Sequence, residues 1–424
     1  MSDDDRLPAA DPPAAGALGR VTIATLVAAA SGYLVLLLAA RYLGAAGYAV
    51  FAVFWAAYGM VTGSQNGQLQ ETTRTVRAAV DGHSATTARP WLVNTAIGGI
   101  LGAIVAATSP LWSAHVFTDH RWLSVVLLSV GVASFAVYAH LAGALSGSVS
   151  WGAFAVLLSV DALIRLVGAV IAVVVGADVT AFLIITVTGS VSWMLLLLTS
   201  PSARHAVGLP GDVGSRRLTA NTLTAMAAAA ASAVLVMGFP VLINATAGRS
   251  ADTATVGAVV LAVTLTRAPL LVPLNSFQGV LITRFVDGRD HLATALRAPA
   301  TGVAAIGVAG SGLAWLAGPW LMTSVFGADF RLPGATLAAL TMGATVLALL
   351  TVTGAAAIAV DAHRWYAAGW WCATVASVAL LLIPVGVQGR VALALAGGPV
   401  VGMLVHAVAL GRRNTVPTAA ATRD

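Results

Sequence analysis

Lysine is absent from this 424-residue chain, glutamate occurs once (Glu71) and cysteine once (Cys372). Without lysine there is no glycine-rich loop ending in Lys-Ser/Thr to cradle phosphates. A lone cysteine excludes an intramolecular disulfide and a cysteine metal site. One glutamate, and no carboxylate pair within a loop, leave no acid–base centre of the usual kind. No His/Glu/Asp cluster has metal-ligand spacing, so neither a metal nor another cofactor is expected. Charged residues make up 9% of the chain, where an ordinary soluble domain has roughly 25%. All 22 basic residues are arginine, which reads as compositional bias rather than chemistry. The high isoelectric point is explained by arginine-rich cytoplasmic loops rather than by nucleic acid.

What the chain has instead is apolar length: 58% hydrophobic residues and a mean hydropathy of +0.90. Long unalternating runs fit helices rather than barrel strands. Twelve spans are predicted: 21–40, 47–65, 91–109, 122–145, 151–176, 181–200, 218–243, 254–273, 300–318, 334–360, 365–385 and 391–410. Most have the ~20 residues that cross a ~30 Å hydrocarbon layer. With the N-terminus inside, fifteen arginines fall in cytoplasmic segments, five (Arg41, Arg121, Arg249, Arg331, Arg390) fall outside, and Arg165 and Arg267 lie within spans. That bias places both termini in the cytoplasm. Met1–Ala17, with four aspartates and three prolines, reads as a solvated arm rather than a cleavable signal.

The stretch Gly47–Val76 recurs 210 positions later at Gly257–Val286. Eight positions agree, among them Gln68/Gln278, Thr73/Thr283 and Arg74/Arg284, and both copies end in a polar cluster. Two homologous halves are the economical reading, a common way to build a transporter, with chance matching of two similar helices the alternative. The expected layout is a tail over 1–18, a six-helix lobe over 19–201, a linker over 202–217, a second six-helix lobe over 218–411 and a tail over 412–424. Outer loops are short, leaving no room for an external catalytic domain. Gly98/Gly102, Gly143/Gly147 and Gly398/Gly402 have the spacing that lets helices pack closely, or arise by chance in a glycine-rich chain. Pro240, Pro269, Pro273 and Pro384 are expected to kink spans, with a broken helix lining a cavity the sharper reading for Pro269 and Pro273.

Ionisable residues inside spans carry the functional reading, because a central arginine costs at least roughly 2.5–3.5 kcal/mol to insert. Asp161 and Arg165 share a helix face and pair, either to fix packing or to hold Arg165 ready for cargo. Arg267 has no acid one turn away, so it either snorkels to the surface or meets an external anion. His140 and His406 read as packed histidines rather than proton carriers. Two buried guanidiniums suit phosphate or pyrophosphate, which arginine grips with paired donors. The candidate substrate residues are therefore Arg165, Arg267 and Asp161, with the repeat-related Gln68 and Gln278.

The chain also resembles the polysaccharide exporters, flippases for lipid-linked oligosaccharides, of the multidrug/oligosaccharidyl-lipid/polysaccharide exporter superfamily. The resemblance is carried by Arg41-Tyr42-Leu43-Gly44 followed by Tyr48 and Phe51, by Val325-Phe326-Gly327-Ala328-Asp329-Phe330, and by Gly354 through Asp361 with Arg364. It implies an all-α, twelve-helix fold of two lobes related by a pseudo-two-fold axis (MATE/MOP-like), a central cationic cavity and alternating access. The implied protein is a monomeric, non-enzymatic transporter of a bacterial cytoplasmic membrane. Its partners would be the bilayer, a lipid-linked (pyrophosphate) saccharide and a coupling ion, H+ or Na+. A small-molecule antiporter of the same superfamily and a membrane-embedded glycan polymerase or ligase are the alternatives.

Overall fold

The structure is a computed structural model that describes residues 15–82, 88–117, 119–247, 252–276, 281, 284–286, 288, 291–360 and 362–413. Among these residues there are helices and turns and no strand. In hydrocarbon every backbone donor and acceptor must be satisfied within its own segment, and an apolar helix does this.

The first half of the chain forms α1 (Ala15–Val80), α2 (Pro90–Val116), α3 (Arg121–Gly147) and α4 (Trp151–Val174). There follow α5 (Val179–Thr188), a 3-10 turn at Gly189–Val191, α6 (Ser192–Thr199) and the short α7 (Pro201–Val207). The second half holds α8 (Ser215–Val236), α9 (Phe239–Ala247), α10 (Thr253–Ser276) and α11 (Leu292–Leu321). It closes with α12 (Gly334–Ala359), α13 (His363–Leu381) and α14 (Val387–Arg413).

Helix α1 has 66 residues, about 100 Å if straight, or some three hydrocarbon thicknesses. It is not straight. Gly44 leaves the helical conformation at φ 68°, ψ 177°, a left-handed φ that glycine adopts without strain. The arms 15–43 and 45–80 double back, so that residues 28–36 and 48–59 line one cavity. Ten helices among the described residues are long and apolar enough to cross a membrane; Gly19–Val80 counts as one of them and α13 is outside the ten.

Within the first half α1 packs on α3 and α4, and α2 on α3; within the second, α11 packs on α12, α13 on α14, and α12 on α14. The halves meet where α1 packs against α8 and α10. One apolar cluster crosses that boundary, joining Phe51 and Phe182 to Phe239 and Phe330. Facing outward, α11 exposes Ile306, Leu313 and Leu316, a surface suited to hydrocarbon.

Several predicted boundaries move. The second span continues helically from Gln65 to Val80, and the ninth begins at Leu292 rather than residue 300. Polar residues extend these helices beyond their apolar cores, which hydropathy does not register. The seventh span is two helices, α8 and α9. Conversely, α10 runs unbroken through Pro269 and Pro273, so the interruption beside the cavity lies in the preceding span.

Candidate functional site

Between α8 and α9 the chain turns at Met237-Gly238, and Pro240 occupies the first turn of α9, where a missing amide is tolerated. A helix end leaves its last carbonyls without intrahelical donors and forms a local negative pole. Arg267 of α10 supplies the donor: its Nη1 reaches the carbonyls of Val236 at 3.1 Å and Leu235 at 3.4 Å. Its guanidinium carbon lies 4.6 Å from the centre of the Phe239 ring. The residue is 6% exposed, yet Nε and Nη2 find no hydrogen-bond partner among the described residues. Arg267 therefore neither snorkels to the surface nor is fully satisfied.

Arg267 borders a cavity of about 290 Å³ between the two halves, near the lower end of the ~300–1,000 Å³ usual for ligand pockets. One wall is made of small residues from both arms of α1, such as Ala28, Gly32, Ala52 and Gly59. Tyr33, Tyr48 and Trp55 add aromatic rings, and Thr264 and Arg267 form the α10 side. Among the described lining residues Arg267 is the one charged group.

Asp161 and Arg165 pair within α4, Nη2 donating to Oδ1 at 2.8 Å, while Arg165 Nε donates to the Thr186 carbonyl at 3.1 Å. Gly189 makes room for the pair, since a Cβ there would overlap the guanidinium. Arg165 does not line the cavity. It packs 5.9 Å from the centre of the Trp55 ring, and Trp55 does. Gln68 is elsewhere, fully buried between α1 and α2, its Nε2 donating to the Asn94 carbonyl at 3.3 Å. Gln278 lies outside the described residues. The structure thus brings Arg267 to the cavity, sets the Asp161–Arg165 pair one side chain behind it, and leaves Gln68 in a helix interface.

Both histidines sit in packed polar surroundings. His140 Nδ1 accepts from Asn94 Nδ2 (3.3 Å), and its Nε2 donates to the Val207 carbonyl (3.1 Å). His406 engages Thr353 (3.0 Å) and the Tyr366 carbonyl (3.3 Å).

The uncharacterized protein Rv1510 of Mycobacterium tuberculosis is 47% identical over 407 residues, covering 95% of this chain and 93% of that protein. Uncharacterized protein Mb3654 of Mycobacterium bovis is 45% identical over 405 residues, covering 94% and 93%. The chain belongs to their family. No protein-family model matches it. Among solved structures, an inward-facing multidrug resistance MATE family transporter of the MOP superfamily superposes with a TM-score of 0.76 at 13% identity, covering 95% of this chain and 99% of that one. The lipid II flippase MurJ, in an inward closed conformation, gives 0.68 at 14% identity, covering 92% and 87%. An outward-facing MATE transporter gives 0.59 at 13% identity, covering 94% and 97%. The fold of this mycobacterial-type family is therefore that of MATE/MOP transporters.

In this member of the family the halves are held together by features that sequence reading passed over. Gly59, Gly63 and Gly67 form a stripe on α1 that faces α8: a Cβ at Gly63 would stand 2.9 Å from that of Ala233, and one at Gly67 would overlap the backbone of Ala225 and Met226. The regular Gly-x3-Gly-x3-Gly spacing was the available signal. Four residues on, Glu71 binds Arg74 through two hydrogen bonds (2.8 and 2.7 Å) and accepts from Asn221 of α8 at 3.0 Å. Arg74 also donates to Asp212 in the linker at 2.9 Å. Burial acts to raise the Asp212 carboxyl, but bonds from Arg74 and Thr75 outweigh it and hold the group below the usual carboxylate range. At the opposite end, two of the three motifs behind the exporter resemblance touch: Phe330 packs edge-on against Tyr48 at 6.0 Å. A Cβ on Gly44 would lie 3.8 Å from Asp329 Oδ2.

Proposed function

We propose that this protein is a transporter that moves a lipid-linked saccharide across the cytoplasmic membrane by alternating access, with the cargo's anionic group received at Arg267. The observation that carries the reading is Arg267 itself, a buried guanidinium with two unpartnered donors among the described residues, in the lining of a cavity between two helical lobes. A saccharide headgroup with its phosphate cannot cross hydrocarbon unaided, because desolvation is prohibitive. A cavity between lobes shields the headgroup while the lipid tail stays in the bilayer.

In this reading twelve helices cross the membrane, counting both arms of α1 and adding α13. The lobes are 19–201 and 218–411, joined by the linker 202–217. The better superposition on an inward-facing relative in fold, 0.76 against 0.59, supports an inward-facing state, with the Tyr48–Phe330 contact as the closed outer side. Both termini are cytoplasmic, the unit is a monomer, and H+ or Na+ supplies the driving force. Asp161 holds Arg165 behind Trp55. A drug-cation antiporter is disfavoured by the lining, which has a guanidinium and, among the described residues, no carboxylate.

The test is translocation of a fluorescent lipid-linked saccharide in proteoliposomes, normalised to folded protein. Loss of a buried charge-assisted hydrogen bond is worth about 1.5–3 kcal/mol, so Arg267→Ala is expected to slow translocation roughly tenfold to a hundredfold. Arg267→Lys recovers part of the rate, keeping the charge but losing the paired donors. Full activity in Arg267→Ala would sink the mechanism.

A further inference from the structure

We infer that the cavity selects a cargo presenting a single oxyanion, such as the phosphodiester of a lipid–phosphate–sugar, and discriminates against a pyrophosphate linkage. The inference rests on the transporter reading above and narrows its substrate class. It follows from how Arg267 is spent. One corner of the guanidinium, Nη1, is committed to the carbonyls of Val236 and Leu235 at the end of α8, and one face is covered by Phe239. What remains is the edge formed by Nε and Nη2, both buried and without a partner among the described residues. Those two N–H groups are parallel and coplanar, the arrangement that takes two oxygens of one phosphate or carboxylate. The edge is filled by one such group.

Among the described lining residues a second anionic group would find no second cation. Arg165 is held by Asp161 at 2.8 Å and by the Thr186 carbonyl, and stands behind Trp55 rather than at the cavity. The carbonyls at the end of α8 already offset part of the positive charge of Arg267. The rest of the described wall is alanine, glycine, aromatic rings, aliphatic side chains and Thr264. A lipid–phosphate–sugar diester carries one negative charge and is neutralised there. A pyrophosphate-linked lipid carries two, and the second would be desolvated against apolar surface. The same charge count disfavours the reading of two arginines sharing a pyrophosphate.

The experiment is equilibrium binding to the purified full-length protein in nanodiscs of neutral lipid. Four probes are compared: a polyprenyl phosphate monosaccharide, the same sugar on polyprenyl pyrophosphate, its uncharged polyprenyl glycoside, and inorganic phosphate. The monophosphate lipid is expected to bind at least about tenfold more tightly than either lipid analogue, the scale of one charge-assisted bidentate contact. Arg267→Gln should erase its advantage over the uncharged glycoside. Inorganic phosphate competing as well as the lipid would support the single-oxyanion site while assigning it to a free anion. Pyrophosphate lipid bound as tightly as monophosphate would overturn the inference and leave the transporter reading standing. Equal binding of charged and uncharged lipids would overturn both. The wild-type selectivity ratio decides the matter even where Arg267→Gln fails to fold.

Discussion

Arginines inside this protein bind helix ends or a neighbouring acid, and the difference sets their roles. Arg390, in the first turn of α14, donates to the carbonyls of Thr246 (3.0 Å) and Ala247 (3.2 Å) at the end of α9. Arg267 does the same at the end of α8 and lines the cavity, with two donors, Nε and Nη2, left without a partner among the described residues. Arg165 is held by a carboxylate on its own helix, one turn away. Removing one member of such a buried pair typically costs about 3–5 kcal/mol, because an uncompensated charge stays behind, whereas removing both is much milder. Asp161→Asn is therefore expected to lower the unfolding temperature of the purified protein clearly, and Asp161→Asn with Arg165→Gln to recover most of it. A double variant no more stable than Asp161→Asn would show that mutual neutralisation is not what the pair contributes.

Between elements, the closest approach is made by glycine. The stripe Gly59, Gly63 and Gly67 brings α1 onto α8 at the boundary of the halves, and Gly98, Gly102, Gly143 and Gly147 bring α3 onto α2 and α1 in the same way. Side chains inserted into such contacts force backbone shifts of roughly 1–3 kcal/mol or more. Gly67→Leu should push α1 away from α8 and lower both thermal stability and transport. Gly99→Ala, at a position with open space around the added carbon, is the matched control and should change neither. Equal behaviour of the two variants in a detergent melting series would mean that α1 and α8 do not need this contact.

For the whole molecule, the transporter proposed above would need the contact between α1 and the Phe326–Phe330 turn to open while the α1–α8 stripe acts as the hinge side. That assignment depends on orientation. Reporters fused within 204–214 should read cytoplasmic, and those within 248–252 external. Swapped readings at both places would invert the inside and outside assigned to the cavity and refute the arginine-based topology. The single glutamate belongs to this scale too: Glu71 ties α1 to α8 directly and, through Arg74, to the linker at Asp212, so the two halves are clamped where the chain passes between them.

Sequence alone determined the class of protein, because long apolar runs are a local property that a bilayer reads directly. It also singled out Arg165 and Arg267, since a charge within an apolar span is conspicuous in one dimension, and Asp161, four residues from Arg165, announces its pairing by helical periodicity alone. Gly98, Gly102, Gly143 and Gly147 showed their packing role through spacing. The fate of Arg267 was not legible, because its partners, the Leu235 and Val236 carbonyls, are some 30 residues away and are backbone atoms, which carry no residue-type signal. Gln68 stood out because the repeat carried it; only the packing of α2 against α1 showed its Nε2 donating to the Asn94 carbonyl within a helix interface. The tertiary structure alone decided which of two intramembrane arginines lines the cavity, because that depends on where a helix elsewhere in the chain happens to end.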